Sequence, residues 1–146
     1  MTTVAQVLHD KNNSEISTIA SDATVLDAIT LMATKGIGAV IIVDAENTHK
    51  VVGILSERDY TRKVALMQRT SDDTTVAEIM TSKVLSVGRQ NTVEECLGLM
   101  TEWHIRHLPV IENEKLLGLV SIGDLVKATM EDQRKLIDQL QQYIAG

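Results

Sequence analysis

The sequence has little of what makes small proteins rigid by covalent or aromatic means. In 146 residues it holds one cysteine, one proline, one tryptophan, two tyrosines and no phenylalanine. A single thiol, Cys96, excludes an intramolecular disulfide framework and a cysteine-rich zinc site, and suits a reducing compartment. The four histidines, His9, His49, His104 and His107, form neither a helical pair nor a carboxylate triad at metal-ligand spacing, so no metal is expected. The start, MTTVAQVLHD, lacks the basic flank and apolar block of a secretory signal. No run approaches the ~20 apolar residues of a membrane span. A cytoplasmic chain with no membrane partner is therefore expected. Lys and Arg number 14 against 20 Asp and Glu, a net charge of −6. With so few aromatics, that balance offers neither the basic stripe nor the stacking platform of a nucleic-acid binder.

What is present is an ordinary globular composition, 44% hydrophobic and 23% charged, arranged as a repeat. Sliding residues 84–111 onto 16–43, an offset of 68, superposes Thr92-Val93 on Thr24-Val25, Leu99-Met100 on Leu31-Met32 and Ile105 on Ile37. The pattern repeats more fully than the identities. Val25, Ala28, Ile29 and Met32, and again Val93, Cys96, Leu97 and Met100, follow the i, i+3, i+4, i+7 stripe of an amphipathic helix. Each stripe precedes an apolar run of buried-strand length, Ala39–Val43 and Leu108–Ile111. The loop from Asp44 to Lys50 is three residues longer than its counterpart, after which Gly53-Ile-Leu-Ser-Glu-Arg-Asp59 falls on Gly118-Leu-Val-Ser-Ile-Gly-Asp124 at an offset of 65. Upstream, Thr3–Leu8 matches Thr75–Met80 at an offset of 72, with four extra linker residues within His9 to Glu15.

Each copy reads as a short helix, a linker, a strand (Ile16 to Ile19; Val84 to Val87), an amphipathic helix, a strand, a hairpin, a strand and a helix. The fold class is α+β, two β-α-β-β-α units whose helices cover one sheet face while the other faces are buried against each other. The polar stretch from Gln68 to Asp73 marks the boundary. The expected organisation is residues 1–70 as the first repeat with its lead-in helix, 71–130 as the second, and 131–146 as a C-terminal helix. That helix reaches about Ile144, with Val126, Met130, Ile137, Leu140 and Ile144 near one face.

A tandem unit with an apolar strand, a hairpin and Gly-hydrophobic-x-Ser-x-x-Asp at a strand-to-helix turn resembles a cystathionine-β-synthase (CBS) domain pair. Gly53 to Tyr60, Arg106 to Val110 and Gly118 to Asp124 carry the resemblance, which covers residues 3–130. It implies two repeats about a pseudo-two-fold axis, a Bateman module, with two clefts for adenosine ligands and dimerisation into a flat four-repeat disk. No attached enzyme or transporter domain is expected, and the chain resembles the short, free-standing bacterial members assigned to signal transduction. For these AMP and NAD(H) are the foremost ligands, ahead of ATP, ADP and S-adenosylmethionine.

By the same resemblance, Asp59 and Asp124 take the ribose hydroxyls, and Ser56 and Ser121 donate to ribose or phosphate. Arg58, Arg62 and Lys63 follow the first motif as phosphate partners. The second motif has Ile122 and Gly123 in place of Glu57 and Arg58; its compensation is Arg106 and His107, which stand where the first copy has the small pair Gly38 and Ala39. The two clefts are therefore not equivalent. The base is expected near Thr18-Ile19-Ala20 and Ser86-Val87-Gly88, read by backbone groups. Pro109, lacking an N–H inside a strand, is expected at an edge or lining a cleft.

Plainer readings stand beside these. Ser-x-x-Asp at a helix start is also a capping box. Arg58, Arg62 and Lys63 also fit a solvated helix face, Arg106 and His107 a set of ion pairs across a dimer, and Trp103 a packing or dimer contact. Cys96 corresponds to Ala28 and reads as a small core residue, not a nucleophile. No nucleophile and base pair and no glycine-rich phosphate loop marks an enzyme. Two functions remain: a non-catalytic homodimeric sensor that binds an adenosine nucleotide and biases a downstream protein, or a ligand-free interaction module whose motifs only cap helices.

Overall fold

Each amphipathic stripe forms an eleven-residue helix that begins on a threonine. Thr24 caps α2 (Val25–Lys35) by accepting the Asp27 amide at 3.1 Å, and Thr92 caps α5 (Val93–Trp103) by accepting the Glu95 amide at 3.1 Å. Both helices stop on a residue in the left-handed conformation, Gly36 (φ 66°) and His104 (φ 55°), which stand at corresponding positions. The computed structural model describes residues 1–11 and 16–145. Its other elements are α1 (Val4–Asp10), β1 (Thr18–Ala20), β2 (Ala39–Val43), β3 (Val51–Ser56), α3 (Glu57–Tyr60), α4 (Val76–Ile79), β4 (His107–Glu112), β5 (Lys115–Ser121) and α6 (Ile122–Ala145). After α3 the chain continues as a π-helical turn over Thr61–Ala65. Of the linker expected within His9 to Glu15, residues 12–15 lie outside the described residues.

In the first repeat β1 runs parallel to β2 and β2 antiparallel to β3, giving the order β1-β2-β3. The first strand lies slightly later than expected, over Thr18–Ala20 instead of Ile16 to Ile19. In the second repeat β4 and β5 form the hairpin, but the strand expected over Val84 to Val87 is reduced to one bridge, Val87 with Val110. Proline explains the loss. Pro109 occupies the position of Ile41, whose amide donates to the Ser17 carbonyl at 3.4 Å. Without an N–H, Pro109 offers only its carbonyl, which accepts the Val87 amide at 3.0 Å. Pro109 is buried in β4 and flanked on both sides, by β5 and by Val87, so it is not an edge residue.

The two hydrophobic cores correspond residue for residue. Val25, Ala28, Met32, Val40, Ile42 and Leu55 are buried in one, and Val93, Cys96, Met100, Leu108, Val110 and Val120 in the other. Burying each larger side chain is worth roughly 1.5–3 kcal/mol. Cys96 is a core residue as expected, and burial, with the Glu95 charge second, raises its thiol pKa.

The chain divides into two compact units that do not follow the repeat boundaries. One unites α1 and its flanks with Ser86–Glu112 and the chain from Leu117 onward; the other holds β1 through Leu85, together with Asn113–Leu116. The lead-in helices are thus exchanged. In one unit Val4 and Val93 donate to the Asn91 and Thr2 carbonyls, and Thr3 bridges to Thr92. In the other, Val76 and Val25 donate to the Ala23 and Thr74 carbonyls, and Thr24 bridges to Thr75. The first unit also ties its ends together, with the Thr2 hydroxyl 2.6 and 2.8 Å from the Asp132 carboxylate. Beyond Asp132, α6 is exposed on every side.

Candidate functional site

Both glycine-serine-aspartate motifs run out of a strand into a helix, and both form capping boxes. At the first, the Ser56 amide donates to Asp59 Oδ2 at 3.0 Å while Ser56 Oγ accepts the Asp59 amide at 3.2 Å. At the second, the Ser121 amide donates to Asp124 Oδ2 at 2.9 Å and Ser121 Oγ accepts the Asp124 amide at 3.2 Å. The plain capping chemistry is therefore realised at both turns. In each case the cap engages Oδ2, and an ionised carboxylate has about four lone-pair sites to offer.

The two carboxylates acquire a cation by different routes. In the β1 unit, Lys63 comes from the turn following α3, with Nζ 3.3 Å from Asp59 Oδ1 and a hydrogen bond to the Ile79 carbonyl at 3.0 Å. The Thr81 hydroxyl approaches the same Oδ1 at 3.4 Å. In the α6 unit, Lys11 comes from the end of α1, with Nζ 3.0 Å from Asp124 Oδ2 and a hydrogen bond to the Leu119 carbonyl at 2.9 Å. Burial pushes the Asp124 carboxyl up, but the Ser121 amide, the Lys11 ammonium and the Ser121 hydroxyl outweigh it and hold the group below the usual carboxylate value. Lys11 and Thr81 are absent from the residues the sequence singles out. The signal was the match of Thr3–Leu8 with Thr75–Met80, since both residues sit just after these lead-in segments.

The remaining candidates fall into the same two groups. Ala39 pairs with Ser56 across the β2–β3 ladder, and the Gly38 carbonyl accepts the Glu57 amide at 3.1 Å, so both small residues adjoin the first motif. Arg58 and Arg62 are exposed on the following turns. Thr18 and Ile19 lie one strand away, on β1, in register with Ile41 and Ile42. At the second motif the Arg106 carbonyl accepts the Ile122 amide at 2.9 Å, the counterpart of the Gly38 contact. Arg106 is exposed, His107 half-buried and Pro109 buried along β4. Among the described residues, no group of three or more His, Cys, Asp or Glu is placed to hold a metal, and no helix is long and apolar enough to cross a membrane.

A tandem of motif turns on twofold-repeated α+β units defines a class, and comparison with known proteins identifies it. The CBS-domain family profile matches residues 4–66 and 76–131, and the chain belongs to that family as a tandem CBS pair. It is 36% identical to the mitochondrial CBS domain-containing protein CBSX3 of Arabidopsis thaliana over 150 residues, covering 99% of this chain and 73% of the relative. Among solved structures it resembles a CBS-domain protein of Burkholderia ambifaria MC40-6, described as a signal-transduction protein. The identity is 50% and the TM-score 0.85, over 90% of this chain and 96% of the other. It also resembles the CBS domain protein PAE2072 of Pyrobaculum aerophilum, solved in complex with AMP. There the identity is 25% and the TM-score 0.74, over 84% and 88% of the two chains.

Proposed function

We propose that the chain is a regulatory module that binds an adenosine nucleotide, AMP or NAD(H) foremost, at its two motif turns. Asp59 and Asp124 take the ribose hydroxyls and Ser56 and Ser121 assist. Arg58, Arg62 and Lys63 meet phosphate at the first turn, and Arg106 and His107 do so at the second. Gly38 and Ala39 leave room beside the first turn, Pro109 lines the second cleft, and the backbone of Thr18 and Ile19 reads the base. The observation that carries the reading is that each aspartate spends only one oxygen, Oδ2, on its cap. Capping and ribose binding are then compatible, because the second oxygen can accept from a diol. The AMP complex of the Pyrobaculum relative supports the ligand class. The module acts as a homodimer, and the ligand biases a downstream protein by binding one of two shapes more tightly.

A second reading rests on the same turns. Complete capping boxes need no ligand, so a pure interaction module would show the same hydrogen bonds. A thermal-shift panel of AMP, ADP, ATP, NAD+, NADH and S-adenosylmethionine on nucleotide-stripped protein separates the two. Ligand at about 100 times its dissociation constant adds about 2.7 kcal/mol to stability. Selective stabilisation that Asp59→Asn together with Asp124→Asn removes supports the sensor. A flat response from folded protein establishes the interaction module instead.

A further inference from the structure

We infer that Lys11 is a ligand-binding residue of the second site, exchanging the Asp124 carboxylate for the phosphate of an incoming nucleotide. This deepens the adenosine-nucleotide reading above and rests on it. The second motif lacks two of the first motif's cations: Ile122 and Gly123 replace Glu57 and Arg58, and Ala128 stands in the position of Lys63, while Lys127 keeps that of Arg62. Nevertheless Asp124 is paired, because α1 brings Lys11 Nζ to 3.0 Å from Oδ2. The lysine is delivered by packing, with Val4 and Val7 buried and the Leu8 side chain lying against Gly118, the first residue of the motif.

Among the described residues, the Lys11 ammonium serves Asp124 and the Leu119 carbonyl, two of its three donors, and its side chain is 31% exposed. A nucleotide carries groups complementary to both halves of the pair. Its diol hydroxyls donate to the carboxylate, and its phosphate accepts from the ammonium through a charge-assisted bond stronger than a neutral one. A bare nucleoside would engage the carboxylate but leave the ammonium with nothing in exchange. The second site thus adds to Arg106 and His107 a phosphate-selecting lysine from the end of the N-terminal helix, whereas the first finds its lysine on the turn following its own motif. The two sites differ in where their phosphate selectivity is encoded.

The test is calorimetric titration of the full chain with AMP and with adenosine, in an Asp59→Asn background that leaves the second site to be read. Lys11→Met is expected to weaken AMP roughly tenfold or more, the scale of a lost hydrogen bond to a charged group, while adenosine changes little. Lys11→Arg is expected to restore most of the AMP affinity, and the salt dependence of AMP binding to become shallower in Lys11→Met. Lys11→Gln, with thermal melts of every variant, guards against loss of fold. Equal weakening of AMP and adenosine overturns the inference, since Lys11 would then only position Asp124. Unchanged AMP affinity in Lys11→Met, with Asp124→Asn still weakening binding, overturns it while leaving the nucleotide reading intact. If neither compound binds the chain carrying both aspartates, the nucleotide reading falls and this inference with it.

Discussion

Gly118 and Leu8 meet where the second motif receives the N-terminal helix: a Cβ on Gly118 would lie 2.7 Å from Leu8 Cδ2. The first motif repeats the arrangement with Gly53 against Met80, and Leu8 and Met80 correspond in the lead-in repeat. The glycine of each motif is therefore explained by packing. It makes room for a lead-in helix from the other repeat, and that helix brings Lys11 to Asp124 in one unit and Thr81 to Asp59 in the other.

Alanine at these glycines should cost unequal amounts. At Gly118 the obstructing atoms are the tip of one side chain, which can rotate. At Gly53 a new Cβ meets Met80 Sδ and also the Thr81 carbonyl at 3.1 Å. That carbonyl accepts the Ile54 amide at 3.0 Å, and the Thr81 amide returns a bond to the Ile54 carbonyl at 2.9 Å, so the backbone cannot yield. Gly53→Ala is expected to lose about 1–3 kcal/mol and Gly118→Ala less, as overpacking does. Urea unfolding of the two variants checks the order.

Helix termination gives a cleaner backbone test. Gly36 adopts φ 66°, and nothing lies within 4 Å of where its Cβ would be. Gly36→Ala therefore isolates the cost of a left-handed residue with a side chain, roughly 1 kcal/mol of destabilisation. His104 holds the same conformation at the matching helix end and already bears that cost, so His104→Ala should leave the backbone contribution unchanged. Thermal melts of both variants measure the contrast.

Much of the fold was legible because periodicity and duplication reinforce one another. Val25, Ala28 and Met32, with Val93, Cys96 and Met100, are all buried as their stripes require. The strand before α5 was misjudged because Pro109 acts on a neighbour: the proline sits in a well-formed strand and removes the donor that the adjacent segment needs. The site was legible only where it is local. Ser56 with Asp59 and Ser121 with Asp124 are three residues apart and meet whatever the tertiary structure. Lys11 and Asp124 lie near opposite ends of the chain, and nothing in a linear reading of the repeats exchanges their lead-in helices. The pairing follows from packing against Gly118, which only the folded chain displays.

The Lys11–Asp124 pair also sets an acid limit on stability. Burial raises the Asp124 pKa, yet the Ser121 amide, the Lys11 ammonium and the Ser121 hydroxyl together bring it below its ordinary value of 3.8. A carboxyl whose native pKa lies below its unfolded one contributes stability that is complete above the unfolded value and is lost as pH falls through the native value. The sensitive window is therefore below 3.8. Glu78, held low first by the Thr75 amide, and Glu95, held low first by the Asn91 side chain, titrate in the same direction but are exposed and better screened. Asp124→Asn, which keeps an acceptor for the Ser121 amide, should lose less stability than the parent chain between about pH 7 and pH 3. Lys11→Met should raise the Asp124 carboxyl pKa, because two of the contributions that lower it come from the ammonium. Urea midpoints at the two pH values and the carboxyl carbon shift of Asp124 measure both effects; parallel acid limbs in Asp124→Asn and the parent would remove this pair from the account of acid stability.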